Sequence, residues 1–323
     1  MNETQSYICE SPERLDTFLT SHLGQSRSQI AQLIKKESVL VNGKIVSRSG
    51  VKLKENQVIL VKFPPLESKP ALDVDFDVEI LYEDDDILVI NKPTGLTVHP
   101  APSVKEATLV DWLKHKGIRL SSLSGEERHG IVHRLDKGTS GAMVIAKNNA
   151  AHEFLSNQLQ DKSMGRYYLA VVNPPLKDDF CEVIAPIGRS THNRLKMAIV
   201  EHGKYAKSAF KVLLFSNDEK NQLIACKLHT GRTHQIRVHL ESLNRHIIGD
   251  HIYAQSPKQE KSERILLHAY IIYFIHPKSK ERVFFVASLD KDMQEYIDKK
   301  FNMEKIDEIM DVDNIMHGFP SSN

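Results

Sequence analysis

Two helices and a hairpin are predicted in the first 62 residues. The first helix is indicated by apolar residues that share one helical face: Leu15, Phe18, Leu19 and Leu23. The second begins at Ser28, a residue suited to cap a helix, and carries Ile30, Leu33 and Ile34. Apolar runs at 39–41 and 44–46 flank Asn42-Gly43, the strongest short signal for a β-hairpin. We therefore expect a small α/β module over residues 13–62.

A proline-rich stretch separates this module from the rest of the chain. Pro64, Pro65 and Pro70 disfavour helix and strand interiors, so residues 63–72 are predicted to be a linker. After it, apolar residues alternate with polar ones and predict a half-exposed strand: Val74, Phe76, Val78 and Ile80. We expect the second domain to occupy residues 73–302.

Hairpin-connected strands dominate the predicted pattern of this second domain. Strands are indicated at 87–90, 142–146, 166–172, 208–215, 222–229, 270–275 and 283–287, and helices at 108–112, 149–160 and 290–300. This pattern predicts an α+β fold with a mixed, mainly antiparallel central sheet. Residues 303–323 are polar and acidic, without an amphipathic pattern, and we expect them to form a mobile tail.

Composition and charge narrow the class of protein. The chain has 323 residues with an apolar share of 41%, enough for a large core and a smaller second one. No apolar run reaches the length of a signal sequence or membrane span, so we expect a cytoplasmic protein without membrane contact. The three cysteines, Cys9, Cys181 and Cys226, are far apart, which excludes a disulfide framework and a Cys-x-x-Cys zinc site.

The net charge of +1 conceals an uneven distribution. Residues 1–62 contain nine Lys and Arg against six Asp and Glu, whereas residues 303–323 contain one Lys against five acids. A nucleic-acid-binding surface would therefore be local.

The densest chemistry lies between residues 129 and 147, where the one carboxylate is Asp136. The apolar run 142–146 predicts a buried strand, and the glycines and hydroxyls before it indicate a turn, so Asp136 is expected on a loop. Cationic or potentially cationic side chains lie within three residues of it: His133, Arg134 and Lys137. Because nearby positive charge favours a carboxylate, we expect Asp136 to be ionised at neutral pH.

Several roles are open to such an aspartate. A glycosidase-type acid pair requires two carboxylates, and this segment has one. Metal binding is disfavoured because the surrounding arginine and lysine repel cations, and Ser140 lacks the Gly-x-Ser-x-Gly elbow of a serine nucleophile. The structural alternative is that Asp136 caps a turn and pairs with Arg134.

The string His-Arg-Leu-Asp-x-x-Thr-Ser-Gly at residues 133–141 resembles the signature of the RluA-type pseudouridine synthases. The resemblance implies that Asp136 is the catalytic aspartate of an enzyme that isomerises uridine in RNA, without a cofactor. His129 stands where the family often has proline, and Ala142 where a bulkier aliphatic residue is usual. The resemblance extends over residues 13–300.

A second motif, Thr-Gly-Arg-Thr-His-Gln-Ile-Arg-x-His at residues 230–239, resembles the family's other conserved block. The resemblance implies that Arg237 pairs with Asp136 across a cleft, and Arg232 also suits an anion. A zinc site is disfavoured for the three histidines of this segment, because steps of five residues do not stay on one helical face: His229, His234 and His239. Gly249-Asp250 and Tyr253 continue the family pattern without an assigned role.

The same resemblance implies contacts with the target nucleotide. Alternation places Tyr167 and Tyr168 on opposite faces of a strand, and the family pattern selects Tyr168 as the ring that stacks on the base. Leu267 is expected to pack under the base, and Arg134 to fill the position that the base leaves. Lys92, in an Asn-Lys-Pro-x-Gly segment that is similar to one in the family, is expected on a loop beside the cleft.

The order of motifs in residues 13–62 resembles the S-four-like RNA-binding domain, which reads RNA shape with a helical pair. Basic residues on the polar sides of the two helices are candidates for RNA contact: Arg14, Arg27 and Lys35. This module, together with the segment at 194–197, is similar to the RluD-like branch, which modifies large-subunit ribosomal RNA. We therefore expect ribosomal RNA as the partner, with transfer RNA as the alternative, and a monomeric protein.

Two other classes of function stay open at this point. A non-catalytic ribosome-assembly factor could retain the fold, and an RNA glycosidase would release free uracil. Sequence does not decide which uridines are modified, or whether Asp136 attacks the sugar, adds to the base or removes a ribose proton.

Overall fold

The computed structural model describes residues 4–23, 27–62, 73–101, 104–121, 123, 129–193, 195–254 and 262–320. The chain divides into two compact units, Met1–Ala71 and Leu72–Asn323. The predicted linker, residues 63–72, lies outside the described residues. None of the described helices is long and apolar enough to cross a membrane.

The first unit combines two helices with a small antiparallel sheet. Its elements are β1 (Thr4–Ile8), α1 (Leu15–Leu23), α2 (Arg27–Lys35), β2 (Val39–Val41), β3 (Lys44–Ile45) and β4 (Val58–Lys62). The strands pair in the order β1-β4-β2-β3. Asn42 and Gly43 both have positive φ, as the predicted two-residue hairpin turn requires. The sheet also includes β1, which precedes the predicted start of the module at residue 13.

The core of this unit comes from the apolar positions that the helical periodicity had selected. Leu15, Phe18 and Leu19 of α1 pack with Ile30 and Ile34 of α2 against the sheet. Helix α2 begins at Arg27, one residue before the predicted cap Ser28.

The second unit is larger and combines a twisted sheet with short helices. Its strands are β5 (Glu79–Glu83), β6 (Ile87–Lys92), β7 (Ser140–Ala146), β8 (Gly165–Asn173), β9 (Phe180–Ile184), β10 (Ile187–Arg189), β11 (Met197–Ile199), β12 (Lys207–Phe215), β13 (Gln222–Leu228), β14 (His246–Ile247), β15 (Leu267–Ile275) and β16 (Arg282–Val286). Its helices are α3 (Leu109–His115), α4 (Asn149–Asp161), α5 (Gln235–Ser242), α6 (Lys291–Lys300), α7 (Met303–Ile309) and α8 (Val312–His317).

The main sheet of this unit has the order β5-β6-β7-β15-β8-β13-β12-β9, with β14 beside β8 and β16 beside β15. Strands β7 and β15 pair in parallel, while the other described strand pairs of this sheet are antiparallel. The α+β class with a mainly antiparallel sheet is therefore confirmed. Because β7 follows the Asp136 loop and lies beside β15, this parallel pair joins distant parts of the sequence at the centre of the sheet.

Alternating residues of β8 face two different cores. Tyr168 packs with Trp112, Met143 and Leu267 on one face, whereas Tyr167 packs with residues of the other face. The predicted opposite orientation of the two tyrosines is thus present. Helix α3 begins as expected, because Thr108 and Asp111 form a reciprocal capping box.

Residues 74–80 differ from the predicted strand. Strand β5 begins only at Glu79, although Val74 and Phe76 pack against the core and Val78 is buried. The alternating pattern was correct about burial, but an extended segment can bury every second side chain without pairing with another strand.

Residues 303–320 also differ from the expectation of a tail without an amphipathic pattern. They form α7 and α8, and Ile306, Ile315 and Phe319 are buried in the core that contains Tyr167. The helices are so short that their few apolar residues leave no clear period in the sequence, while the acidic residues dominate the composition.

Candidate active site

Asp136 lies on the loop that precedes β7, and neighbouring segments hold this loop by backbone contacts. The amide of Gly95 donates to the Lys137 carbonyl at 2.8 Å, and the Thr94 hydroxyl donates to the Gly138 carbonyl at 2.9 Å. Gly141 has a φ of +112°, and a Cβ at this position would collide with the carbonyl group of Ala269. The glycine therefore permits the close approach of β7 to β15 just after the Asp136 loop.

Two side chains from the second motif face the carboxylate of Asp136, which is 21% exposed. Arg237 Nη1 lies 3.5 Å and His234 Nε2 lies 3.7 Å from Asp136 Oδ2. Both distances exceed the 2.7–2.9 Å typical of a charge-assisted hydrogen bond. Arg134 forms no ion pair with Asp136, so the Arg134 pairing expected under the structural alternative is absent. The Arg134 guanidinium instead lies 3.4 Å from His99 Nε2.

The main partner of Arg237 is Asp250. Arg237 donates two hydrogen bonds to the Asp250 carboxylate, each 2.8 Å long. Burial raises the pKa of Asp250, but the hydrogen bonds and charge of Arg237 outweigh burial and hold this pKa below its usual range. The pair fixes the Arg237 guanidinium so that its Nη1 points toward Asp136. Sequence reasoning had noted Asp250 only as part of a Gly-Asp pattern.

His234 is held by Tyr253, another residue to which the sequence had assigned no role. His234 Nδ1 lies 2.9 Å from the Tyr253 hydroxyl, which also accepts the amide of Met197 at 2.8 Å. Burial lowers the pKa of His234, although Asp136 opposes this effect. The imidazole is therefore neutral at neutral pH, and its Nε2 faces Asp136. The Tyr253 hydroxyl also donates to the Met197 carbonyl at 3.2 Å.

A cavity of about 420 Å³ brings most of the predicted residues together. Its lining includes Asp136, Tyr168, Arg134, Leu267, Arg232 and Arg237, which are spread over more than a hundred residues of sequence. Tyr168 and Leu267 are buried, and burial raises the pKa of Tyr168, so its ring is uncharged at neutral pH. The arrangement offers an aromatic ring and an apolar side chain beside an oriented carboxylate.

Lys92 is a correction to the sequence analysis. It ends β6 instead of standing on the following loop, and it is 0% exposed. Its ammonium donates to the carbonyls of Pro93 at 2.8 Å and Leu96 at 2.9 Å, and burial lowers the pKa of Lys92 to about 7. Lys92 therefore stabilises the Pro93–Leu96 loop from inside and is not available to RNA in this structure.

The three basic candidates of the first unit have different surroundings. Arg14 is exposed but forms a salt bridge with Asp16 at 2.7 Å. Lys35 is exposed near the end of α2. The side chain of Arg27 lies outside the described residues.

No group of three or more His, Cys, Asp or Glu side chains able to hold a metal occurs in the described part of the chain. His239, one of the three histidines spaced five residues apart, contacts the Ser208 hydroxyl at 2.9 Å and the Ala185 carbonyl at 3.2 Å.

Comparison with known proteins identifies the family. Residues 86–242 match the model of the RNA pseudouridylate synthases, and residues 13–59 match the S4 domain. An RNA pseudouridine synthase of Helicobacter pylori (strain J99) is 48% identical over 314 residues, which cover 95% of this chain and 96% of the relative. The ribosomal large subunit pseudouridine synthase D of Zymomonas mobilis is 38% identical over 296 residues, covering 87% of this chain and 92% of the relative.

A solved structure with the same fold is that of human RNA pseudouridylate synthase domain containing 1, with a TM-score of 0.59 and 22% identity, covering 78% of this chain and 100% of that one. The chain belongs to the RNA pseudouridine synthase family and carries an S4 domain. It is therefore an isomerase. Its reaction breaks the bond between a uracil nitrogen and the ribose, rotates the base and rejoins the base to the ribose through a ring carbon.

Proposed function

We propose that the protein converts uridine to pseudouridine in large-subunit ribosomal RNA, as a monomer, with Asp136 as the catalytic carboxylate. The observation that carries this proposal is the orientation of Asp136 by Arg237 and His234 inside a cavity that also contains Tyr168. The S4 domain and the relatives named ribosomal large subunit pseudouridine synthase D, from Zymomonas mobilis and Neisseria meningitidis, support ribosomal RNA as substrate.

The cavity requires that the target nucleotide leaves its stack. Unstacking a base costs roughly a few kcal/mol, and stacking on an aromatic side chain returns about 1–3 kcal/mol per base. In this proposal Tyr168 stacks on the extruded uracil, Leu267 packs under it, and Arg134 at the exposed rim fills the vacated position in the RNA.

Asp136→Asn tests the catalytic assignment. The amide preserves the shape of the side chain but cannot act as a nucleophile or base, so kcat should fall by at least about 10³-fold while RNA affinity stays within a few-fold of wild type. Asp161→Asn is the control, since Asp161 lies at the end of α4 and does not line the cavity. Tritium release from 5-tritiated uridine in ribosomal RNA transcripts measures turnover; near wild-type turnover by Asp136→Asn rejects the assignment.

The substrate is tested by carbodiimide mapping of pseudouridines in cells with and without the gene. Loss of one or more large-subunit sites on deletion, with restoration by the wild-type gene and not by Asp136→Asn, is the expected result. If pseudouridine sites are lost only from transfer RNA, transfer RNA is the substrate in place of ribosomal RNA. If no pseudouridine site is lost from any RNA, the result favours a non-catalytic assembly factor.

A further inference from the structure

Arg166 is a buried cation in the lining of the cavity. It lies in β8, two residues before Tyr168 and on the same side of the strand, and it is only 9% exposed. Burying a guanidinium is strongly unfavourable unless an anion or a full set of acceptors compensates for the lost water.

The other buried arginines of the described residues have a carboxylate partner. Arg237 pairs with Asp250, and Arg264 pairs with Asp290. No carboxylate of the described chain lies within ion-pair distance of Arg166, whose contacts are a ring nitrogen of His133 at 3.2 Å and the Tyr168 hydroxyl.

A donor faces each ring nitrogen of His133, but His133 can accept only one of the two hydrogen bonds. The amide of Val144 donates to His133 Nε2 at 3.2 Å, while Arg166 Nη1 faces Nδ1. Burial, reinforced by Arg166, holds the pKa of His133 well below its usual range, so the ring is neutral and has one accepting nitrogen. One of the two donors therefore faces an N–H group, which leaves hydrogen-bonding capacity unused beside the cavity.

The surroundings of Arg166 favour an anion. Among the described residues, the cavity lining contains one carboxylate, Asp136, against six cationic side chains: Arg134, Lys162, Arg166, Lys227, Arg232 and Arg237. Gly231 lies against the guanidinium, since a Cβ there would stand 2.8 Å from Arg166 Nη2. The glycine of the second motif thus permits the close approach of the Arg166 guanidinium to this loop.

We infer that Arg166 binds a backbone phosphate next to the target nucleotide, and that this phosphate is the missing counter-ion of the buried guanidinium. The inference rests on the proposed function, in which an RNA strand delivers a nucleotide into this cavity. A phosphodiester supplies the charge that no side chain of the described segments supplies here, and arginine binds phosphate oxygens with paired N–H groups.

Stability and RNA binding together test this role. Arg166→Gln removes an uncompensated charge, so the free protein should melt at or above the wild-type temperature, whereas Arg264→Gln, which breaks an ion pair, should melt lower. The probe is a ribosomal RNA stem-loop that the wild type converts. In the inactive Asp136→Asn background, Arg166→Gln should lower the affinity for this RNA by about 10- to 100-fold. It should also reduce the slope of log affinity against log salt by about one. Arg166→Lys should retain part of the affinity.

A modified RNA identifies the phosphate without relying on a protein variant. Neutral methylphosphonates are placed singly at the phosphates flanking the target uridine of the same stem-loop. At one position the methylphosphonate should weaken RNA binding by the Asp136→Asn protein. At the same position it should cause no further loss of affinity in the double variant that carries both Asp136→Asn and Arg166→Gln. Absence of such coupling at every position, an unchanged salt slope, or a melting temperature of Arg166→Gln as low as that of Arg264→Gln overturns the inference. If mapping assigns the target to transfer RNA, the corresponding transfer RNA stem-loop replaces the probe, so the two proposals fail separately.

Discussion

At the scale of single residues, the geometry of Asp136 depends on side chains that other residues hold in place. Arg237 is fixed by Asp250, and His234 is fixed by Tyr253. Since both groups stand slightly too far from Asp136 for short hydrogen bonds, the carboxylate keeps capacity for a contact with substrate. The buried Arg237–Asp250 pair keeps the Arg237 guanidinium in its orientation. Breaking the pair would leave an uncompensated charge in the interior, so the pair stays intact.

His268 gives a residue-scale prediction about pH. It lies between the Ser140 hydroxyl at 2.8 Å and the Ala287 carbonyl at 3.1 Å, and burial lowers its pKa from 6.5 to about 4. Between these values the unfolded chain binds a proton that the folded protein does not bind, so stability is complete above pH 6.5 and falls as pH falls toward 4. The contribution to the free energy of unfolding is about 3 kcal/mol at most.

Urea unfolding of wild type and His268→Gln at pH 7.5, 5.5 and 4.5 measures this contribution. The variant should be less stable at pH 7.5 but should lose less stability on acidification, because it lacks the buried imidazole. Parallel pH profiles for the two proteins would assign the acid sensitivity to other groups.

At the scale of elements, the sheet is the frame that assembles the site. The Asp136 loop enters β7, Tyr168 lies on β8, Leu267 begins β15, and Arg237 lies on α5 after β13. Because β15 is inserted between β7 and β8, Leu267 comes between the carboxylate loop and the tyrosine strand although it follows both in sequence. The opposite face of the same sheet is covered partly by α6, α7 and α8.

Deletion of residues 303–323 is an element-scale prediction. It removes the buried Ile306, Ile315 and Phe319 and exposes apolar residues beneath them, including Tyr167. Because loss of one buried phenylalanine side chain costs about 3–5 kcal/mol, the truncated protein should melt at least 10 °C lower or be recovered in aggregates. Deletion of only 321–323, as the matched control, should leave the melting temperature unchanged. An unaltered melting temperature for the longer deletion would show that the two helices do not stabilise the fold.

At the scale of the whole molecule, both units carry local positive charge of the kind that binds RNA. The first unit has an excess of positive charge, and the cavity of the second is lined mostly by cations. The acidic residues of 303–323 reduce the net charge of the chain to +1 without lining the cavity. Overall charge is therefore a poor guide to RNA binding in this protein.

Lys35→Glu tests the contribution of the first unit. Lys35 is exposed on α2 in a unit separate from the cavity, so the reversal should raise KM for a ribosomal RNA fragment by about tenfold at low salt with little change in kcat. Arg14→Ala should have a smaller effect, since Arg14 already pairs with Asp16. Lys54→Glu is the matched control, an exposed lysine outside both helices. A fall in kcat with constant KM would contradict a binding role.

Local pattern was sufficient for much of the fold. The hairpin at Asn42-Gly43, the capped helix at Thr108, the strand carrying Tyr168 and the loop position of Asp136 all follow from neighbouring residues. Periodicity reports which side chains are buried, but not which element covers them. For that reason the segment 74–78 and the helices α7 and α8 were misjudged, and Lys92 was placed on a loop although it ends a strand.

The sequence by itself determined the types of most elements, the two motifs and the reactive carboxylate, because these depend on residues close together along the chain. Only the tertiary structure decided that Asp250 is the main partner of Arg237, that Tyr253 holds His234, and that Arg166 is buried with no carboxylate partner in the described part of the chain. These contacts join residues that lie 13, 19 and 33 positions apart in the chain. They depend on how the elements pack in the folded unit, which no local period encodes.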